Sequence, residues 1–318
     1  MAQVTGTYSV YDAAGLREDL SDIIYSISPT ETPFMSGIGK EKATAVLHEW
    51  QTDSLANAVA NNAQIEGDEI GFSAPSATTR VNNRTQISRK SVIVTGTLDS
   101  VSKAGRNNEL AYQISKASKE LKRDMESSLC ANNSPVVGDD STARELAGLA
   151  GWIQQNNDAG AGGANGQVSG ADVPGTARTD GTQRAFTEAQ LKSVIKSVWN
   201  EGGEPSMIMV GPFNKQKLSG FTGNSTRFDA GADATLYTSV DVYASDFGQL
   251  QVVPNRFSRD RDAYVLDMNY FAIAFLRDFT MHELAKTGDS EKRQLLVEAT
   301  LESRNEKASG LVADLTTS

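Results

Sequence analysis

Cysteine is almost missing from this 318-residue chain: Cys130 stands alone, so no internal disulfide can staple the fold. Histidine is nearly as scarce. His48 and His282 are the two present, neither has a partner at metal-ligand spacing, and each falls in a strand-like stretch as a packed or exposed residue. Long apolar runs are lacking. The longest, Phe271 to Leu276, is far short of the roughly 20 residues a bilayer span requires, and no signal-peptide pattern opens the chain. Positive charge is in deficit, with 30 Lys and Arg against 40 Asp and Glu. The net charge of −10 argues against a nucleic-acid reader, which carries a basic face.

Catalytic signatures are missing too. Gly37-Ile38-Gly39-Lys40 fails as a phosphate loop, because no glycine stands five residues before Gly39 and Glu41 replaces the Ser or Thr. Asp246-Phe247-Gly248 matches a kinase tripeptide without any other kinase element and reads as a hairpin turn. No nucleophile elbow, cysteine cluster or paired carboxylates accompany them, so no cofactor and no metal is expected. What remains is a chain long enough for two or three packed units, made in the cytoplasm.

The strongest pattern present is a long amphipathic helix over Asn107 to Asn132. Ala111, Ile114, Ser118, Leu121, Met125 and Leu129 recur at three- and four-residue intervals and share a face. Lys116, Lys119, Lys122, Arg123 and Glu126 fall on a broad wet side. Asn107 or Asn108 can cap its start, and Asn132, Asn133 and Pro135 stop it. Cys130 lies within it as a small packed residue.

Before this helix, residues 1 to 42 read as an arm. Asp12 to Ile27 makes a short helix, after which Pro29 and Pro33 force extended backbone and Gly37 and Gly39 loosen it further. Residues 43 to 97 read as a long hairpin, with Ala43 to Trp50 as one strand and Thr85 to Thr97 as the other. More than thirty residues dominated by Asn, Ala, Gly, Ser and Thr separate the two, which is long for a connection inside a compact domain. Charge is segregated along it. Asp53, Glu66, Asp68 and Glu69 lie on the outgoing part without Lys or Arg, whereas Arg80, Arg84, Arg89 and Lys90 dominate the return. Such limbs suit complementary contacts between copies, although surface charge of this kind also serves as a solvated face.

After the helix, residues 136 to 262 form a mixed α/β region. Asn156 to Thr182, rich in Gly and Ala, reads as a mobile surface loop. Thr187 and Gln190 form a capping box for a helix whose buried stripe is Leu191, Val194, Ile195, Val198 and Trp199. Ser206 to Val210 is a central strand, Phe213 to Phe221 one more helix, Thr222 to Ser239 a polar loop and Val240 to Val253 a hairpin. Strands return at Tyr264 to Asp267, Phe271 to Met281 and Gln294 to Glu302, with a turn at Lys286 to Ser290. Phe271, Ile273, Phe275, Phe279 and Met281 share a face that the long helix would cover, giving an α+β layer.

This order of elements resembles the major capsid protein of tailed double-stranded DNA phages, the Hong Kong 97-type fold. SDIIYSISPTETPFMSGIGK (Ser21 to Lys40) and HEWQTDSLANA (His48 to Ala58) are similar to the arm and outgoing hairpin strand of one branch of that family. AYVLDMNYFAIAFLRDF (Ala263 to Phe279) and LAKTGDSEKRQLLVEATLESRNEKASGLVADL (Leu284 to Leu315) are similar to its terminal sheet. The resemblance implies an N-terminal arm at 1–42, an extended loop at 43–97 lying over a neighbouring subunit, a peripheral domain at 98–135 and 263–318 with the long helix as its spine, and an axial domain at 136–262. It implies self-assembly into hexamers and pentamers of an icosahedral shell around double-stranded DNA, without specific binding to that DNA. A separate scaffolding protein (or a chain already processed), a portal and a cementing or decoration protein would be its partners. Asp53, Glu66, Asp68 and Glu69 would meet Arg80, Arg84, Arg89 and Lys90 of adjacent copies, with Lys116, Lys119 and Arg123 of the helix as further contacts. Lys90 is the one lysine near the base of the hairpin and none lies near its tip, so no covalent crosslink between subunits is expected. An encapsulin-type compartment shell shares the fold, and an α/β enzyme with a site in the 156–182 loop is the reading from another class.

Overall fold

The computed structural model describes residues 31–69, 71, 74–75, 77–103, 105, 108–167, 175–221 and 241–318. The expected arm helix and the polar loop Thr222 to Ser239 lie outside the described residues. The described chain opens with α1 (Pro33–Gly37), where proline fits the first turn because its missing N–H would have no partner there. Then come β1 (Gly39–Lys42), β2 (Leu47–Thr52), β3 (Thr79–Arg84), β4 (Gln86–Thr95), α2 (Gly96–Ser100) and α3 (Glu109–Leu129). The middle holds α4 (Leu149–Trp152), β5 (Asn157–Asp158), α5 (Glu188–Asn200), β6 (Met207–Val210) and α6 (Pro212–Ser219). The end holds β7 (Val242–Ser245), β8 (Gly248–Pro254), β9 (Ala263–Leu266), β10 (Phe271–Glu283), β11 (Ser290–Ser303) and β12 (Gly310–Val312).

Among the described residues these strands form a four-stranded sheet (β1-β10-β11-β4), a six-stranded sheet (β5-β12-β9-β6-β8-β7) and a two-stranded ribbon (β2-β3). β6 is central, as its unbroken apolar run requires: it lies parallel to β8 and antiparallel to β9. Two pairings differ from expectation. β2 pairs with β3, and the Thr85 to Thr97 stretch, as β4, pairs along its length with β11. The late strands divide as well, since β9 and β12 join β6 while β10 and β11 pair with each other. β-branched composition marks a strand but carries no information about its partner.

α3 starts at Asn108, whose side chain accepts the N–H of Ala111 at 2.7 Å, and its C-cap is Cys130. Leu121, Met125 and Leu129 share one core with Phe271, Ile273, Val297, Ala299 and Leu301, so the helix covers the β10–β11 face. Each of the larger of these side chains contributes roughly 1.5–3 kcal/mol on burial. Toward the start of the helix the expected stripe drifts: Ala111 is exposed, and Ala117 is buried in place of Ser118. Glu126 departs further from expectation, because it is not on the wet side but fully buried. Its carboxylate accepts the N–H groups of Phe34 (2.9 Å) and Met35 (2.8 Å) and the Asn255 side-chain amide (2.7 Å). The open N–H groups of α1 need an acceptor, and Glu126 provides it from another element. Burial lifts its pKa above the ordinary carboxyl range despite the three donors. Phe279 and Met281 also depart from the covered face, at 37% and 54% exposed. Register shifts beside Arg277 break the alternation that would have carried them inward.

A second core lies between α5 and the six-stranded sheet. Leu191, Val194, Ile195 and Val198 pack against Ile208, Val252 and Val265, and the Thr187–Gln190 capping box forms. Trp199 does not join them. It is 54% exposed, because the last turn of α5 meets the β7–β8 turn, where Phe247 lies 5.1 Å away. The 156–182 stretch, expected to be mobile, is anchored in its described parts. β5 pairs with β12, Ala164 bridges Thr179, and Gln167 bridges Thr176. Arg178 and Asp314 pair at 2.7 Å with neither side chain exposed. Asp314 also accepts from Gly160 N–H, Gly181 N–H and Arg261. Gly160 permits this closeness, since a Cβ there would stand 2.1 Å from the Thr182 carbonyl oxygen. Gly- and Ala-rich composition suggested freedom; a remote aspartate ties down Gly160, Arg178 and Gly181 among the described residues.

Candidate functional site

The surface least explained by the chain's own packing is the excursion between β2 and β3. Every described residue from Asp53 to Arg80 is exposed. Leu55, Val59 and Ile65 are 98%, 70% and 79% exposed, so three aliphatic side chains stand in water without a core of their own. Their sporadic placement in a polar stretch was the available sequence signal, and the charge pattern drew the reading past it. Asp53, Glu66, Asp68 and Glu69 lie on the same excursion and make no ion pair with a described residue.

The basic candidates separate into two groups. Arg80 reaches Glu49 at 3.8 Å, and Lys90 binds Asp124 of α3 at 2.7 Å, so both are engaged within the chain. Strand alternation then sends Arg89 to the sheet face opposite α3, where it is exposed. Asn83 points inward, which turns Arg84 outward. Neither Arg84 nor Arg89 forms an ion pair among the described residues. On α3, Lys116 lies 3.9 Å from Glu120, Lys119 is exposed, and Arg123 sits over the Phe257 ring at 5.4 Å. The structure thus places the acidic excursion and several uncommitted cations on separate exposed surfaces of one chain.

The root of the excursion is built more firmly. Asn83, fully buried, donates to the carbonyls of Leu301 (2.7 Å) and Ala147 (3.3 Å) and accepts the Ala147 N–H (2.9 Å). The Trp50 indole N–H donates to the Ser303 carbonyl at 2.9 Å, and its ring lies 5.4 Å from that of Trp152. His48 Nε2 stands 3.2 Å from Glu302 Oε2. None of these root contacts was legible beforehand, because each joins residues more than 60 positions apart.

Converging chemistry is not what these surfaces offer. Among the described residues no group of three or more His, Cys, Asp or Glu side chains is arranged to hold a metal. A surface cavity of about 390 Å³ lies between α5 and the β7–β8 turn. Three of its polar groups are joined, with Glu188 bound to Lys192 at 2.8 Å and near the Tyr243 hydroxyl at 3.3 Å. No described helix is long and apolar enough to cross a membrane.

A projecting excursion, a long helix over a sheet and a separate α/β layer define the Hong Kong 97-type capsid fold. Solved capsids bear this out. The chain superposes on the capsid asymmetric unit of cyanophage A-1(L) with a TM-score of 0.66 and 13% identity, covering 95% of this chain and 98% of that one. Against Mycobacterium phage Adephagia the TM-score is 0.61 at 11% identity, over 98% and 99% of the two chains. More particularly, the chain belongs to the SU10 major capsid protein family, whose model matches residues 3–316. The major capsid protein of Escherichia phage Phieco32 is 29% identical over 335 residues, covering 95% of both chains. The chain is accordingly a major capsid protein of the tailed-phage type, a component of the virion shell that assembles with copies of itself, and the family match favours this over a bacterial compartment.

Proposed function

We propose that this chain forms the hexamers and pentamers of its icosahedral shell by laying the 53–80 excursion across a neighbouring copy. The observation that carries the reading is the full exposure of Leu55, Val59 and Ile65 on a segment that bears acidic residues but no lysine or arginine between 51 and 79. Such a segment gains little in its own chain and complements a basic neighbour. Arg84, Arg89 and Lys119 are its preferred counterparts, because Arg80 and Lys90 already have acidic partners within the chain. Lys116 and Arg123 accompany Lys119 on α3.

Within this reading residues 1–42 act as the arm, 43–97 as the extended loop, 98–135 with 263–318 as the peripheral domain, and 136–262 as the axial domain. A scaffolding protein, a portal and a cementing protein are its expected partners, and the role is structural rather than catalytic. Exchanging Arg84 and Arg89 together for Glu tests the contact. Sedimentation velocity and negative-stain microscopy should show a folded chain that no longer closes shells. Normal shells from the double variant would remove the proposal.

A further inference from the structure

Between α3 and α4 the chain makes a pinned turn. Val136 and Glu145 exchange backbone hydrogen bonds at 3.0 and 3.3 Å, and the Asp139 N–H donates to the Thr142 carbonyl at 3.0 Å. The Asp139 carboxylate accepts the Ser141 hydroxyl and the N–H groups of Ser141 and Thr142, which holds its pKa down at about 2. Gly138 makes the reversal at a φ of 74°, where a side chain would be strained. On this frame Val137 is half-exposed, and Asp140 is exposed without an ion pair among the described residues. An aliphatic group and a carboxylate are thus presented together on backbone already ordered, so a contact made through them loses little conformational freedom.

The cavity between α5 and the β7–β8 turn has the complementary character. Buried Ile195 and Tyr243 line it, Phe247 walls it, and the Trp199 ring lies against Phe247 at 5.1 Å. Of its two lysines, Lys192 is engaged by Glu188 at 2.8 Å and feels the charge of Asp246. Lys196, one turn further along α5, is exposed and pairs with no acid among the described residues. At about 390 Å³ the cavity exceeds a valine side chain and admits the tip of a turn.

We propose that the 136–145 turn of one copy seats in the α5/β7–β8 cavity of a second copy, with Val137 against Phe247 and Asp140 paired to Lys196. The two parts belong to different cores of one chain. Leu146 and Ala147 root the turn in the core shared with α3, whereas Ile195 and Tyr243 belong to the core beneath α5. Two unlike patches that fit each other make a head-to-tail contact, and such a contact closes into a ring when repeated about an axis. Exposed aromatic groups beside a pocket suit the centre of an interface, and opposite charges at its edge set the register. The contact rests on assembly of the chain with itself, not on the excursion between β2 and β3.

Charge exchange tests the pairing. Lys196→Glu alone and Asp140→Lys alone should each lower the yield of closed shells about tenfold in sedimentation velocity, and the two together should restore it. Both side chains are exposed, so native circular dichroism is expected in all three variants. Normal shells from either single variant, or a folded double variant no better than the singles, overturn the contact. Where a variant loses its native circular dichroism, the wild-type shell decides. A carbodiimide joins a carboxylate to an amine only when the two are in direct contact. It should link Asp140 to Lys196 in the oligomer bands of a denaturing gel, identified by peptide mapping. No such link, or a link in monomer bands alone, overturns the contact. The excursion stands or falls separately, since its own test leaves residues 140 and 196 unchanged.

Discussion

The Glu126 carboxylate and the backbone N–H of Phe34 meet at 2.9 Å across 92 residues of chain. This contact ties α1 to the long helix, and among the described residues no cation pairs with this buried acid. Glu126→Ala would leave three donors without an acceptor and should cost about 3 kcal/mol, read from urea unfolding. The pH dependence has a definite sign. The folded pKa is raised, so the contribution of Glu126 is complete below the unfolded value of about 4.3 and declines as pH rises through the folded value. Glu126→Gln lacks that titration. The gap in stability between wild type and Glu126→Gln should therefore narrow from about pH 4 to about pH 7, and a widening gap would contradict the assignment.

Leu55, Val59 and Ile65 touch no core in their own chain. Changing all three to Ser should leave the unfolding midpoint of the isolated chain nearly unmoved, within about 0.5 kcal/mol. Shell yield by sedimentation should fall. A destabilised monomer would mean that the excursion packs on its own body.

Arg178 and Asp314 should behave as one unit. Asp314→Ala takes the close partner from the buried Arg178 guanidinium and should cost about 3–5 kcal/mol, Arg178→Ala should cost less because Arg261 still binds Asp314, and the double change should cost clearly less than the sum. Urea denaturation of the three variants completes the cycle. The stretch anchored by the pair should also become susceptible to protease in each single variant.

Gly310 lies beneath α5, where a Cβ would stand 2.4 Å from Val194 Cγ1 and 3.0 Å from Val198 Cγ2. Gly310→Ala should cost about 1–3 kcal/mol in a thermal unfolding measurement. Gly162 is a useful contrast, with open space but a φ of 80° that strains any side chain.

The Cys130 thiol is buried, and burial together with the Glu126 charge pushes its pKa well up. A thiol reagent should react with the native chain far more slowly than with the urea-unfolded chain. Equal rates would show that the helix end opens readily.

What the sequence revealed follows the range of the interaction. Leu121, Met125 and Leu129 could be placed on the inner helix face because helical spacing is local, and the Thr187–Gln190 capping box spans three residues. Glu126 was misplaced because its helical position resembles that of a solvated acid, and its partners are backbone groups of α1 rather than side chains that composition would expose. Arg80 and Lys90 could be named as basic but not as already engaged, since Asp124 lies on a different element. The His48–Glu302 pair spans 254 residues, and no local rule reaches that far.

The parallel pairing of β1 with β10 joins Gly39 to Ala272. A strand made early therefore has no partner until most of the chain has been synthesised, and the same holds for β4, whose partner β11 comes later still. Both edges of the four-stranded sheet thus depend on its last-made members, and long-range pairing of this kind is slow. During translation, the N-terminal portion emerges with open strand edges that only the C-terminal portion can close. A ribosome that stalls before β10 releases a chain with unsatisfied edges, and its natural fate is association with other truncated chains rather than incorporation into a shell.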